Sequence, residues 1–438
     1  MKGHRLNTDI NRSILKLALP AILTNVATPL MSMVDTAVVG HLGDTVYLAA
    51  IAVGGSIFNM LYWVLNFLRT GTSGLTAQAR GRGDTSAVAT LLLQAMFIAL
   101  AASVLLLTLQ TLVCRGMILF LSPEPETAVC ADIYFSAAIW GAPAVLGTYA
   151  LSGWFIGNQD TRPILLMAVI SNLVNIALNL TMVYVLGMGV TGVGFATAVS
   201  QWIGLVIGLI YMVGLNRRLS LKYYPRDIFK PHARIGRFFK LNFDIFLRTL
   251  CLVAVTLWFT RSGAVLGDTT LAANAVLMQL FMLFSFFMDG FAYAGEALSG
   301  LYYGAGNKRL LYSTIKALLT WGVILSIVGS ALYFIFGEAI FTILTDRADV
   351  IATALDYRLW IVAVPLCGFM AFIWDGVFIG LTLTRYMLLS MAIATAIYFG
   401  VYFIATPTMG NHGLWLAFTA YLATRGLAQH LIYRYTAI

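Results

Sequence analysis

Asp35 lies in PLMSMVDTAVVG, residues 29–40, with almost nothing else polar beside it. An ionised carboxylate near the middle of a bilayer costs on the order of 3 kcal/mol even on the lenient insertion scale, so such a residue is seldom kept for packing. Desolvation penalises the charged form. The group can therefore load a proton on one side and release it when its surroundings change. Pro29, six residues earlier, removes a backbone hydrogen bond and can bend a helix. A bend there would move Asp35 between wetter and drier surroundings; a purely structural kink is the competing reading.

Other polar residues share this apolar setting. Asn25, Thr28, Ser32, Asp35 and Thr36 follow one another at spacings of 3, 4, 3 and 1, which places them in one arc of about 100° on a helical wheel. A second stripe holds Asn172, Asn175 and Asn179, and a third holds Asn59, Tyr62 and Asn66. Three stripes imply a shared wet interior, while a hydrogen bond to a neighbouring helix would account for any single amide.

The second half carries Asp244, Arg248, Asp289, Glu296 and Asp375. Asp244 and Arg248 are four apart and can neutralise one another. Asp289 and Glu296 are seven apart and share a helix face. Asp375 opens DGVFIG, whose Gly376 and Gly380 form a close-packing GxxxG pattern. For these acids a paired structural network competes with a role in transport. Phe281, Met282, Phe286, Phe287 and Met288 offer a pliable aromatic and thioether wall for flat lipophilic cations, with plain packing as the alternative.

The elements that must position these residues follow from composition. Of 438 residues 60% are hydrophobic and 10% charged, with a mean hydropathy of +0.87. A soluble domain of that make-up would expose large apolar patches, so the chain reads as an all-α polytopic membrane protein. Apolar runs of about 20 residues, enough to cross a bilayer, fall at 14–40, 46–69, 87–112, 129–157, 163–187 and 190–215. Six more fall at 238–260, 270–299, 311–336, 350–380, 386–406 and 411–434. The expected domains are a first lobe at 1–216, a polar linker at 217–237 and a second lobe at 238–438. The first run is too long and too interrupted, by Pro20, Pro29 and Asp35, to be a cleaved leader.

Charge gives orientation. If odd spans run outward, 21 Lys and Arg lie on the inner side, eight of them in the linker region, against Arg115, Arg261 and Arg347 outside. The positive-inside rule then puts both termini in the cytoplasm, and the net charge of +9 needs no nucleic-acid partner. Cys114, Cys130, Cys251 and Cys367 have no metal-ligand or disulfide spacing and read as buried free thiols. GMGVTG at 187–192 fits GxGxxG, but it lies between two membrane spans and reads as a tight hairpin. No protease, hydrolase or P-loop motif is present, so nothing points to an enzyme, a resident metal or a cofactor.

The two halves are copies. LGDTVYLAAIAV at 42–53 recurs as LGDTTLAANAV at 266–276, and ARGRGD ending at Asp84 is matched by YYGAGN ending at Asn307. Gly153 to Gly157 with Arg162 aligns with Gly376 to Gly380 with Arg385, and MGVTG at 188–192 aligns with MGNHG at 409–413. Each copy has an even number of spans, so the copies enter the membrane in the same sense. Two lobes around a central cleft, rocking between inward-open and outward-open states, is what a secondary transporter needs.

LALPAILTNVATPLMSMVDTAVVGHLG resembles the first helix of the multidrug and toxic compound extrusion (MATE) family. DIFLRTLCL at 244–252, LAANAVL at 271–277, DGFAYAGEAL at 289–298 and WDGVFIGLTLTRYM at 374–387 resemble signatures of its DinF branch. The resemblance runs over essentially the whole chain. It implies twelve helices in two lobes and antiport of hydrophobic, often cationic, compounds against H⁺ or Na⁺. By the same resemblance Asp35 stands where the family has its helix-1 carboxylate, tied to cation coupling, and Asn175 on a family asparagine. Asn179 stands where many prokaryotic members carry aspartate. That departure removes an anionic ligand and favours H⁺ over Na⁺ as the ion at Asp35.

The expectation is a monomeric, proton-coupled exporter of lipophilic cationic small molecules in the inner membrane. A flippase of lipid-linked precursors is the first rival and would want several cationic residues in its cleft; Arg248 and Arg425 are the candidates within the helices. A metabolite carrier of the major facilitator type and a membrane enzyme or receptor are the others.

Overall fold

A computed structural model describes the backbone of residues 2–40, 45–222 and 235–436, and the side chains of 8–27, 46–222, 236 and 240–436. Most of the linker expected at 217–237 lies outside the described residues. The described backbone is helical nearly throughout and contains no strand.

In the first half, α1 (Lys2–Gly40) precedes α2 (Thr45–Leu65), which runs on through a helical Asn66 into α3 (Phe67–Gly81). α4 (Thr85–Thr108) is followed by α5 (Gln110–Leu121). α6 (Pro125–Ala138) passes through a single 3₁₀ turn at Ile139–Gly141 into α7 (Ala142–Gly157). α8 (Arg162–Asn179) ends in a π turn at Leu180–Val185, and α9 (Gly189–Leu219) closes the half. The second half has α10 (Ile235–Val265), α11 (Asp268–Gly304) and α12 (Lys308–Leu344), then α13 (Ala348–Asp356) leading into α14 (Arg358–Gly380). α15 (Thr384–Met409) and α16 (Asn411–Tyr435) complete it. Taken with their short extensions these helices match the twelve apolar runs, and ten are long and apolar enough to cross a membrane among the described residues. α16 falls short of that apolarity because Arg425, Gln429, His430 and Arg434 interrupt it.

The repeat extends to single hydrogen bonds. Asp84 accepts from the backbone of Ala87 at 2.9 Å to start α4, and Asn307 accepts from Leu310 at 3.0 Å to start α12. An oxygen at this position satisfies an otherwise orphaned helix N–H. Each cap follows a glycine with positive φ, Gly83 at 70° and Gly306 at 67°, a backbone region that glycine enters without steric cost. Close helix packing is repeated as well. A Cβ at Gly153 would strike the carbonyl of Arg69, and one at Gly157 would lie 2.8 Å from that of Ser73. In the second half a Cβ at Gly376 would strike the carbonyl of Ala292, and one at Gly380 would lie 2.6 Å from that of Glu296. Both GxxxG patterns therefore bring backbones together, α7 on α3 and α14 on α11.

The chain divides into two compact units, one of Leu23–Phe239 and one of Met1–Ile22 with Lys240–Ile438. The boundary falls inside α1 because its first half packs on second-half helices: Ala18 and Ile22 lie against Gly290, and Trp321 donates to Asn11 Oδ1 at 3.1 Å. One continuous helix thus belongs to both units. The first unit is packed around Trp154 and Phe155 of α7, the second around Trp374 and Phe378 of α14, all four buried. Leu100, Leu112, Ile335 and Phe403 are among many exposed apolar side chains, as a surface facing hydrocarbon requires.

Candidate functional site

In the first unit, α8 carries the asparagine stripe. Asn175 and Asn179 are buried, and Asn179 Nδ2 donates to Asn175 Oδ1 at 3.1 Å, one turn back along the helix. Asn172 is half-buried. The α-helix gives way to the π turn immediately after Asn179, and such widened turns concentrate at functional positions. The expected stripe on α2 divides. Asn59 is exposed; Tyr62 stacks on Phe58 at 5.5 Å, and its buried hydroxyl has no hydrogen-bond partner among the described residues. Asn66 accepts from Arg69 Nε at 3.2 Å, which gives that amide a structural task. Asn25 is half-buried. The side chains of Thr28, Pro29, Ser32, Asp35 and Thr36 lie outside the described residues; the backbone of α1 is helical past all five.

The polar lining of α3 was not foreseen from sequence. Arg69, Thr70, Thr72, Ser73, Thr76 and Gln78 are all buried, and Arg69, Thr72, Ser73 and Thr76 meet the glycines of α7. The available signal was the run RTGTS, small and polar where a membrane span should be apolar, opposite a GxxxG partner.

The second unit contains a buried charge cluster. Asp375 on α14 has three side-chain partners: Oδ2 accepts from Arg248 Nη2 of α10 and forms an ion pair with Arg425 Nη2 of α16 at 3.3 Å, and Oδ1 accepts from Gln429 Nε2 at 2.7 Å. Arg425 is almost wholly buried, its guanidinium 5.3 Å from the ring of Phe372 and 5.9 Å from that of Tyr421. Aromatic faces attract a cation, most strongly when water is excluded. Asp289, half-buried on α11, lies near enough to act on the charge of Arg425. Arg248 does not pair with Asp244, four residues back. Asp244 instead accepts from Thr384 Oγ1 at 2.9 Å at the start of α15. Glu296 is buried on α11, where its carbonyl meets Gly380.

A buried carboxylate needs compensating partners, and Asp375 has found three. The cluster ties α10, α14 and α16 together. Phe281 and Met288 of the expected aromatic and thioether wall are committed to packing: Phe281 rings lie 5.1 Å from Phe418, and Met288 is fully buried. Met282 and Phe287 are about 40% exposed. The four cysteines are free, Cys114 buried and the others half-buried.

Comparison with known proteins agrees with this layout. The MatE family profile matches the chain twice, over residues 20–181 and 243–404. The chain is 37% identical over 429 residues to DNA damage-inducible protein F of Escherichia coli K12, covering 98% of this chain and 93% of that protein. It is 27% identical to Protein DETOXIFICATION 44, chloroplastic, of Arabidopsis thaliana, over 96% of this chain and 81% of that one. With the multidrug resistance protein NorM of Vibrio cholerae it shares 27% identity, over 82% of this chain and 78% of that one. A crystal structure of MATE in complex with MaD3S superposes with a TM-score of 0.85 at 19% identity, over 99% of this chain and 98% of that one. The fold of two six-helix halves is that of MATE transporters, and transport rather than catalysis is the work of these relatives. From the doubled profile match, the repeated packing and the relative at 37% identity, the chain belongs to the MatE family of membrane transporters.

Proposed function

We propose that this protein is a proton-coupled antiporter that exports lipophilic cationic small molecules, with Asp35 as the coupling acid. It works as a monomer in the inner membrane with both termini in the cytoplasm, as the distribution of 21 inner and three outer basic residues implies. The observation that carries this reading is the contrast between the units. The buried acid of the second unit, Asp375, is already held by two arginines and a glutamine. The buried polar pair of the first unit, Asn175 and Asn179, is uncharged, and the family resemblance makes Asp35 the acid that works in that unit. An acid with neutral neighbours gains most from a proton; one clasped by guanidinium groups gains least. Na⁺ gathers several hard oxygens, and a site with one carboxylate and amides holds it less well.

The flippase reading needs free cationic side chains for a pyrophosphate. Arg248 and Arg425 are both spent on Asp375, and this favours the exporter. The test is reconstitution into vesicles with separately imposed pH and Na⁺ gradients, following a fluorescent lipophilic cation. Wild type is expected to export under the pH gradient, and Asp35→Asn to lose that export. Export driven by Na⁺ alone, or undiminished in the variant, overturns the proposal.

A further inference from the structure

A cavity of about 340 Å³ opens between α12, α14 and α16 on the second unit. Two cations, Lys316 and Arg434, stand at it, together with the buried Trp374 and the half-buried His430. Trp374 is 1% exposed, and its indole N–H has no hydrogen-bond partner among the described residues. His430 adds a second buried ring nitrogen, Nδ1, equally unpartnered there. A buried indole donor normally finds an acceptor. In the first unit Trp154 has one, the carbonyl of Val88 at 3.0 Å. Apart from the hydroxyls of Tyr312, Thr320 and Tyr433 the remaining wall is apolar: Leu319 and Val323 follow Lys316 along α12, and Val323 is 41% exposed. Donors and positive charge thus border a cavity whose lining on α12 is largely apolar.

We propose that this cavity binds an anionic phospholipid, its phosphate held between Lys316, Arg434 and the indole N–H of Trp374, with an acyl chain along Leu319 and Val323. Phosphate satisfies several donors at once and is the natural partner of Lys and Arg. A soluble anion would leave the apolar lining uncovered. A zwitterionic lipid would bring a choline cation toward two like charges. The surrounding chain fits the membrane surface: Lys308 and Arg309 begin α12, and Arg434 lies in the last turn of α16. By the orientation proposed above this is the inner leaflet, and only that assignment rests on the earlier reading.

The test is native mass spectrometry of the purified protein titrated separately with dioleoylphosphatidylglycerol and dioleoylphosphatidylcholine. Wild type is compared with Lys316→Ala/Arg434→Ala and with Trp374→Phe. Wild type should retain one phosphatidylglycerol that the double variant holds at least about tenfold more weakly, in keeping with the loss of two charge-assisted contacts. Trp374→Phe removes the donor together with part of a buried ring, so some loss of melting temperature is expected; its informative readout is selective weakening of phosphatidylglycerol with phosphatidylcholine retention unchanged. Phosphatidylcholine retention should be equal in all three, and excess inorganic phosphate should not displace the lipid. Equal phosphatidylglycerol retention in wild type and Trp374→Phe overturns the proposal, as does equal affinity for the two lipids or displacement by phosphate alone. Binding is read without transport, so a failure of pH-driven export leaves this result standing.

Discussion

At the scale of single residues the informative pairing is Arg248 with Asp375, 127 positions apart. Sequence spacing pointed to Asp244, four residues away, because a helical rule sees only its own helix. The true partner is chosen by how α10, α14 and α16 meet, which no local pattern encodes. Arg425 and Gln429, four residues apart on α16, share a face and both reach Asp375; sequence alone singles out Arg425 as a cation within a span but neither its partner acid nor Gln429. The energetic consequence is asymmetric. Removing one member of a buried ion cluster strands the other, at a cost of about 3–5 kcal/mol, whereas removing both charges is far milder. Asp375→Asn should therefore lower the melting temperature of the detergent-solubilised protein strongly, and Asp375→Asn/Arg425→Gln should restore part of it, Arg248 remaining without its carboxylate. A double variant as unstable as the single one would show that the cluster is held by something other than charge compensation.

At the scale of elements the repeat was legible because backbone geometry left it few choices. GWFIG and GVFIG recur since only glycine lets α7 lie on α3 and α14 on α11 at backbone contact. The cap residues Asp84 and Asn307 recur since each must accept a helix N–H after a glycine of positive φ. The π turn after Asn179 and the buried polar face of α3 were hidden, because hydropathy averages over a span and does not report which face is covered. Gly376→Ala would drive its methyl into the carbonyl of Ala292, a backbone atom that cannot swing aside. Overpacking of this kind costs about 1–3 kcal/mol, more when helices must separate. Gly400→Ala meets nothing within 4 Å, and alanine is the better helix former. Thermal melts of the two variants should differ in sign or nearly so: a clear loss for Gly376→Ala and no loss for Gly400→Ala. Equal melting temperatures would mean that α11 and α14 do not approach as closely as described.

At the scale of the whole molecule, one scaffold was used twice and its chemistry was not. The two profile matches begin at 20 and 243 and end at 181 and 404, the same offset of 223 at both ends. Beside the aligned Gly153 and Gly376 that register places Ser152 opposite Asp375, and the LGDT match at 42 and 266, offset by 224, places Phe259 opposite Asp35. Glycines and caps are held in common, while Asp35 and Asp375 each stand in one copy alone. A transporter built this way can divide its labour, with one unit exchanging protons and the other keeping a permanent charge cluster. The division is testable in the same vesicles that test Asp35. Asp375→Asn/Arg425→Gln removes one charge of each sign from the second unit and leaves Arg248, so the net charge is unchanged. If proton coupling resides in the first unit, this double variant keeps export driven by a pH gradient, and Asp35→Asn, matched for expression and melting temperature, does not. Were the double variant to lose its response to pH while still moving substrate down a concentration gradient, the coupling acid would have to be sought in the second unit. Sparing of the double variant together with loss in Asp35→Asn is the only pair of outcomes that a single coupling acid on α1 permits.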